Sequence, residues 1–319
     1  MGISAFLSLL RYRGEIPEAY EVDQLRFNTG TVPVKNGIPR FTPDISYCTG
    51  NFSKLREQYA TLQLDSHNGT ADRLLTVLGR TNWPKDYFVG KTVLECGCGA
   101  GPDTEILLQL GAKVLSVDLA GLDIASANLG DRPDLALMQA DIADLPLVPH
   151  SFDIVFCHRV IQHTPDPERV LDHILRFVKP DGAAFVHSYS HGFVQMVRWK
   201  YLLRPITRRM EPERLFRLIE RMAPRLFAWT DKTNRFWPAR IFNWIFVPFI
   251  NHSGEPEFKN SSRAFLMNTA IHDTFDALSP RYDRPLRART MRRIASQHLE
   301  RPFEIVTRRT ITLLRTRLH

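Results

Sequence analysis

The chain has 319 residues, 44% of them hydrophobic and 24% charged, with four cysteines and a formal net charge of +8. That is enough apolar material for one large domain or two modest ones, and too much for a disordered chain. Cysteines without paired spacing exclude a disulfide-stapled module and suit a reducing compartment, and no run reaches the roughly 18 clean apolar residues that span a bilayer.

In chain order, Met1 to Leu10 is apolar but has neither a basic flank nor a cleavage site, so it is not read as a signal peptide. Phe6 stands where a myristoylation signal after Gly2 wants Ser or Thr. Pro33 to Phe41 reads as a hairpin turning at Asn36-Gly37, and Asn51 to Leu64 as a helix closed by Asp65-Ser66-His67-Asn68-Gly69. Residues 93–101, Val-Leu-Glu-Cys-Gly-Cys-Gly-Ala-Gly, are the most informative stretch. A short apolar strand runs into an acid and then three glycines at alternate positions, with a helix expected from Asp103 to Leu110. Glycines at that spacing let backbone turn sharply and come close to a ligand.

A dinucleotide-binding loop reads G-x-G-x-x-G. Here the third glycine comes one position early, at Gly101, and Pro102 stands in its place. Glu95 would repel a pyrophosphate but suits a ligand with a cationic amino-acid end. Lys113 to Asp118 reads as a second strand ending in an acid, near the spacing at which an acid bonds ribose hydroxyls. Leu137 to Ile142 reads as a third strand carrying Asp141. Ser151 to His158 reads as a fourth, leading into Arg159-Val160-Ile161-Gln162-His163-Thr164-Pro165-Asp166-Pro167. Val178 to Gly182 reads as a turn before a fifth strand, Ala183 to Tyr189.

Glu95–Gly101, the acids at 118 and 141, the fourth strand with its following segment and the 178–182 turn together resemble the class I S-adenosylmethionine-dependent methyltransferases of the ubiquinone-methylating type. The resemblance covers about residues 91–190. It implies a Rossmann-like α/β fold: a seven-stranded, mostly parallel sheet with an antiparallel last strand, here with an N-terminal cap and a helical insertion. It implies S-adenosyl-L-methionine as cofactor, held by Glu95, Gly97, Gly99, Gly101, Asp118, Leu119, Asp141, Ile142 and His158, with Asp141 toward the adenine amino nitrogen. The 33–41 hairpin resembles the tail of a small zinc-ribbon module found before some methyltransferases, but its cysteine pairs are missing, so no metal is expected. Cys96 and Cys98 read as small buried loop residues. The segment from Phe52 to Ser66 is similar to a helix that lies over the cofactor in that family. Tyr59 and Asp65 are candidates for this role, with a packed cap as the competing reading. Asp153 is left open between a structural and a site role.

The expected domains are a cap over 1–70, the binding core over 71–190, a basic, aromatic insertion over 191–285, and the last helix (Arg287 to His298) and strand pair (Phe303 to Thr307, Ile311 to Arg317) over 286–319. Charge divides the same way. Residues 1–190 hold 17 basic and 23 acidic residues, and residues 191–319 hold 25 and 11. An insertion after strand five sits at the carboxyl ends of the strands, so it reads as a substrate-binding lid. Residues 198–240 carry 12 basic and four acidic residues. Arg214, Arg217, Arg221 and Arg225 recur at helical spacing with Leu215, Leu218, Ile219 and Met222 between them. Phe236 to Ile250 is apolar nearly all round. The preferred reading puts this stretch in the core of the lid, lining an apolar pocket. The other reading sets 198–250 against an anionic membrane surface. Nucleic acid is disfavoured, since no RNA-binding module is recognisable.

The expected activity is methyl transfer to a small-molecule or lipid-like acceptor, with O-, N- and C-methylation all open. The alternatives are a non-catalytic S-adenosylmethionine-binding scaffold, or a methyltransferase acting on RNA or another anionic macromolecule. An oxygen or nitrogen acceptor wants a base with a pKa near 7, usually His. His163 and His191 are the candidates, with a capping role as the competing reading of His163; His187 and Tyr189 should share one strand face. The expected location is cytoplasmic, on the inner face of the membrane if the basic segment binds lipid. The oligomeric state is left open.

Overall fold

The computed structural model describes residues 2–42, 58–190, 198–253, 255, 258, 261–308 and 310–318. The chain folds into two compact units, one of residues 1–49, 64–191 and 282–319, the other of residues 50–63 and 192–281.

The first unit opens with a small antiparallel sheet of β1 (Ala19–Tyr20), β2 (Gln24–Phe27), β3 (Gly30–Lys35) and β4 (Ile38–Pro39). Asn36 and Gly37 join β3 to β4 with φ of 54° and 74°, the two left-handed residues that a tight hairpin turn needs. The hairpin thus forms where the Asn-Gly pair predicts it.

Helix α1 (Asp72–Thr81) precedes the main sheet, which is made of β5 (Thr92–Cys96), β6 (Lys113–Asp118), β7 (Leu135–Gln139), β8 (Phe152–Cys157), β9 (Val178–Tyr189), β10 (Phe303–Thr307) and β11 (Ile311–Thr316). Across the sheet the order is β10-β11-β9-β8-β5-β6-β7. The pairs β6–β7, β5–β6, β5–β8 and β8–β9 are parallel, whereas β11 is antiparallel to both β9 and β10. The expected mostly parallel seven-stranded sheet with an antiparallel last strand is therefore present. Strand order reverses between β5 and β8, so their carboxyl ends flank the crevice where open α/β sheets bind ligands. The crossovers carry α2 (Pro102–Gln109), α3 (Leu122–Leu129) and α4 (Pro167–Leu175), and α9 (Ala288–His298) leads into the last strand pair.

Near-continuous apolar runs make these strands, because both faces of a parallel sheet are covered. Leu94, Leu115, Val155 and Val186 enter the core on one face. Their neighbours Val93, Val114, Ile154 and Phe185 enter the core on the other. Two boundaries differ from the sequence reading. The third strand stops at Gln139, so Asp141 lies in the loop beyond it. The fifth starts at Val178, because its expected turn is taken up in the ladder with a register shift opposite Phe152 and Ile154. Of the expected 51–64 helix, residues 51–57 lie outside the described residues.

The amino-terminal segment lies along the outer edge of the sheet. The Phe41 amide donates to the Gln139 carbonyl at 2.8 Å, and Arg40 forms a parallel bridge with Gln139.

The second unit contains α5 (Trp199–Thr207), α6 (Pro212–Thr233), α7 (Trp237–Phe246) and α8 (Arg263–Leu278). Its core joins Leu215, Phe216, Ile219 and Phe227 of α6 to Ala270, Ile271 and Phe275 of α8. The guanidinium of buried Arg204 donates to the Ala277 and Pro280 carbonyls at 3.1 and 2.7 Å, a cation at the negative end of α8. His252 sits between Glu255 and Asp273, 2.8 Å from each. Although burial opposes the charge, the two carboxylates push its pKa up to about 10.

Phe156 and Phe185 are fully buried and stack across β8 and β9 with centroids 4.9 Å apart. Phe156→Ala is expected to cost about 3–5 kcal/mol, read from urea unfolding. A loss below about 1 kcal/mol would contradict this account of the core.

Candidate functional site

The glycine loop leaves β5 at the reversal point. Gly97, Gly99 and Gly101 all have left-handed φ, 86°, 62° and 93°. At Gly97 space is decisive as well: a Cβ there would collide with the Val160 side chain. Val160 arrives at that point after Arg159, whose own φ is 63°, an uncommon conformation for a long side chain. Gly101 precedes α2, and Pro102 takes the first helical position, where its missing N–H costs nothing. The proline that breaks the dinucleotide pattern is thus a helix start.

Asp118 ends β6 and ties two loops together. Its Oδ2 accepts from the Gly99 amide at 2.8 Å, and its Oδ1 from the Leu119 and Ala120 amides at 2.7 and 3.1 Å. Gly97 and Cys98 also donate to the Val117 carbonyl, and the Asn128 side chain donates to the Ala100 carbonyl at 2.8 Å. Leu119 is buried beside Asp118. Beyond β7, Asp141 accepts from the Ala143 amide at 2.8 Å, and Ile142 is buried. Strand order thus gathers Gly97, Gly99, Gly101, Asp118, Leu119, Asp141 and Ile142 at the carboxyl ends of β5, β6 and β7.

Glu95 and His158 hold a different position. Glu95 is 2% exposed, and its Oε2 accepts from Thr104 of α2 and Ser116 of β6 at 2.6 Å each. Burial, then the charge of Asp103, pushes its pKa up to about 7. His158 lies in a buried chain of polar groups. Arg73 makes a two-pronged contact with Asp103 at 2.7 and 2.8 Å, and Asp103 meets His158 Nδ1 at 3.0 Å. Arg80 meets His158 Nε2. Arginine can only donate, so Nε2 is the acceptor, Nδ1–H donates to Asp103, and the ring is neutral. Burial holds the His158 pKa well below its usual 6.5. The Asp103 carboxyl is held below the ordinary carboxylate range by Arg73 and His158 against the effect of burial.

At the ends of β8 and β9 four rings meet edge-on. His158 lies 5.1 Å from His187, His187 lies 6.1 Å from Tyr189, and Tyr189 lies 5.7 Å from His163. His187 and Tyr189 share a strand face, as alternation requires. His163 Nδ1 stands 3.1 Å from the Tyr282 carbonyl; a carbonyl only accepts, so Nδ1–H is the donor. His187 is 1% exposed, and neither ring nitrogen has a hydrogen-bond partner; the same holds for both side-chain amide atoms of fully buried Gln162. Burial holds the His187 pKa well below its usual value. His191 lies outside the described residues.

The other residues singled out in the sequence divide clearly. Asp65 accepts from Thr70 and from the Arg73 and Leu74 amides, which makes it a cap on α1. Tyr59 belongs to the second unit, beside Phe216 and His272. Asp153 bonds Thr92 and Lys179 at the amino-terminal ends of the strands. Sequence reasoning missed Arg73, Arg80, Asp103 and Gln162. The one available signal was the seven-residue spacing of Arg73 and Arg80, which sets them on one helix face.

The strand order, the alternate-glycine loop and the acid at the end of β6 define a class I S-adenosylmethionine-dependent methyltransferase core. Residues 94–186 match the family described as "Methyltransferase domain". Among curated relatives, the ubiquinone biosynthesis O-methyltransferase of Pseudomonas paraeruginosa (strain PA7) is 33% identical over 120 residues, 35% of this chain and 51% of that protein. The one of Azoarcus sp. (strain BH72) is 34% identical over 121 residues, 36% and 52%. The chain thus spans about half the length of these relatives. A solved S-adenosylmethionine-dependent methyltransferase from Mesorhizobium loti superposes with a TM-score of 0.34 at 22% identity, over 40% of this chain and 57% of that one; an agreement that low adds nothing to the fold described above.

The residues present fit S-adenosylmethionine. Side chains are excluded at Gly97, so the loop presents bare backbone. Asp118, held at the end of β6 by the Gly99, Leu119 and Ala120 amides, is an acid at the position where such folds meet ribose hydroxyls.

Folding lowers the proton affinity of His158, so the unfolded chain binds that proton first. Its contribution to stability is present above pH 6.5 and is lost as pH falls, by at most about 1.4 kcal/mol per pH unit. His158→Gln cannot take up the proton, so its stability should fall less steeply than wild type between about pH 7 and about pH 5. Urea midpoints at the two pH values check this; equal slopes would contradict the neutral, buried assignment.

Proposed function

We propose that this chain methylates an oxygen of a small, lipid-like acceptor, using S-adenosylmethionine. The observation that carries the proposal is the three-amide clamp of Asp118 on a glycine loop that admits no side chain at Gly97. When bound, the cofactor supplies a methyl group on a positively charged sulfur. The protein's part is then to hold two molecules in line and exclude water. In this reading Asp118 takes ribose hydroxyls, Asp141 faces the adenine end, and bare backbone at Gly97–Gly101 lies against the amino-acid end. Glu95 and His158 act by holding up the loop, the first through Thr104 and Ser116, the second through Asp103 and Arg80.

The acceptor side is the edge of β8 and β9. In this reading His163, held by the donation of its Nδ1–H to the Tyr282 carbonyl, takes the acceptor's proton. The buried nitrogens of His187 and the amide of Gln162 are polar groups of the kind that a ligand or an ordered water completes. The choice of oxygen rests on the relatives named O-methyltransferases.

Two measurements test this. Asp118→Ala should weaken S-adenosylmethionine binding by about tenfold to a hundredfold in titration calorimetry, and a wild-type protein that binds none would overturn the reading. With catechols bearing isoprenoid tails, mass spectrometry should show one added methyl group. His163→Ala should slow that reaction by roughly a hundredfold or more. A variant as fast as wild type would take the base role away from His163.

A further inference from the structure

Helix α7 is packed inside out. Ten residues long and apolar on nearly every side, it buries one residue fully, the polar Asn243. The Asn243 side chain donates to Thr233 and Asn234 at 2.8 Å and accepts from the indole of Trp229 at 3.3 Å. Around that latch large apolar groups face solvent: Trp237 is 69% exposed, Phe242 53% and Phe246 58%. Phe236 and Trp229, just outside the helix, are 69% and 55% exposed. Arg198 lies over the Trp244 ring and donates to the Trp244 carbonyl at 3.1 Å, bracing the half-buried side. The sequence reading that puts Phe236 to Ile250 in the core therefore holds for Val247, Phe249 and Ile250 and is corrected for Phe236, Trp237, Phe242 and Phe246, which are exposed.

Exposed aromatics on this scale mark a docking face. Its charge selects the occupant. From Lys232 to Ile250 the chain has three cations, Lys232, Arg235 and Arg240, and no acid, and all three are exposed. Pairing with a second copy through this face would bring like charges together. Tryptophan and phenylalanine flanked by arginine suit the headgroup layer of an anionic bilayer, where a short helix lies in the plane of the surface. Among the described residues no helix is long and apolar enough to cross a membrane, so attachment here is to a surface. We infer that α7, with Trp229, Phe236 and the adjoining cations, is an in-plane anchor for anionic phospholipid membranes. The inference does not depend on the proposed methyl transfer.

Flotation with vesicles of mixed phosphatidylglycerol and phosphatidylcholine tests it. The full chain should float with these vesicles, release at high salt, and stay behind with phosphatidylcholine alone. The double substitution W237S/F242S should weaken partitioning about tenfold or more while circular dichroism and S-adenosylmethionine affinity stay as in wild type. Arg235→Glu with Arg240→Glu should weaken anionic binding with the aromatics intact. Failure of the wild type to float on anionic vesicles would overturn the anchor. So would floating that both double variants leave unchanged, or a dimer dissolved by W237S/F242S in a protein that binds no vesicle.

Discussion

Three backbone amides on one carboxylate hold the ligand end of the core together. Asp118 receives the amides of Gly99, Leu119 and Ala120, so the loop after β5 and the loop after β6 share one anchor. The anchor works only because the chain can pass beneath it, and Val160 leaves no volume for a side chain at Gly97. Placement and sterics therefore depend on each other: the acid fixes the loop, and the missing Cβ lets the loop lie where the acid reaches it. Beneath, a second set of buried polar groups from Arg73 through Asp103 and His158 to Arg80 couples α1 and α2 to the end of β8. Such chains are costly when broken, because each member left alone is buried and unpaired.

Much of this core was legible in the sequence. Continuous apolar runs gave β5, β6 and β8, because a strand covered on both faces leaves no room for polar alternation. The Asn36-Gly37 pair gave the hairpin, since few other dipeptides adopt two left-handed residues cheaply. Pro102 fixed the start of α2 by the same kind of local rule. Chemistry that depends on neighbours across the fold was harder to read. Glu95 looked like a ligand group because it is an acid beside a glycine loop, yet Thr104 and Ser116 meet it inside the protein. His158 looked available until Arg80 and Asp103 closed on both ring nitrogens. Neither partnership has a spacing that a one-dimensional pattern reveals.

The second unit shows the opposite limit. Its composition was plain, basic and aromatic, but periodicity could not say which side of each helix turns inward. On α6 the core side proved to be Leu215, Phe216, Ile219, Ala223 and Phe227, whereas Leu218 and Met222, grouped with them by spacing, lie exposed. On α7 a single asparagine decides orientation, because satisfying a buried amide outweighs hiding one more aromatic ring. A helix apolar on every side has no preferred face, so one polar residue can choose it.

The segment that runs from β4 to Arg40 and Phe41 along Gln139 has a meaning for solubility. An open sheet ends in a row of unpaired amides and carbonyls, and an apolar strand such as Leu135–Gln139 would otherwise offer that row to any extended chain it met. A few residues of backbone laid on this rim, backed by the Arg40 and Asn36 contacts with Asp123, shield it from strand addition. The small amino-terminal sheet thereby serves the large one as a selvedge, the finished border that keeps a woven edge from taking up loose thread.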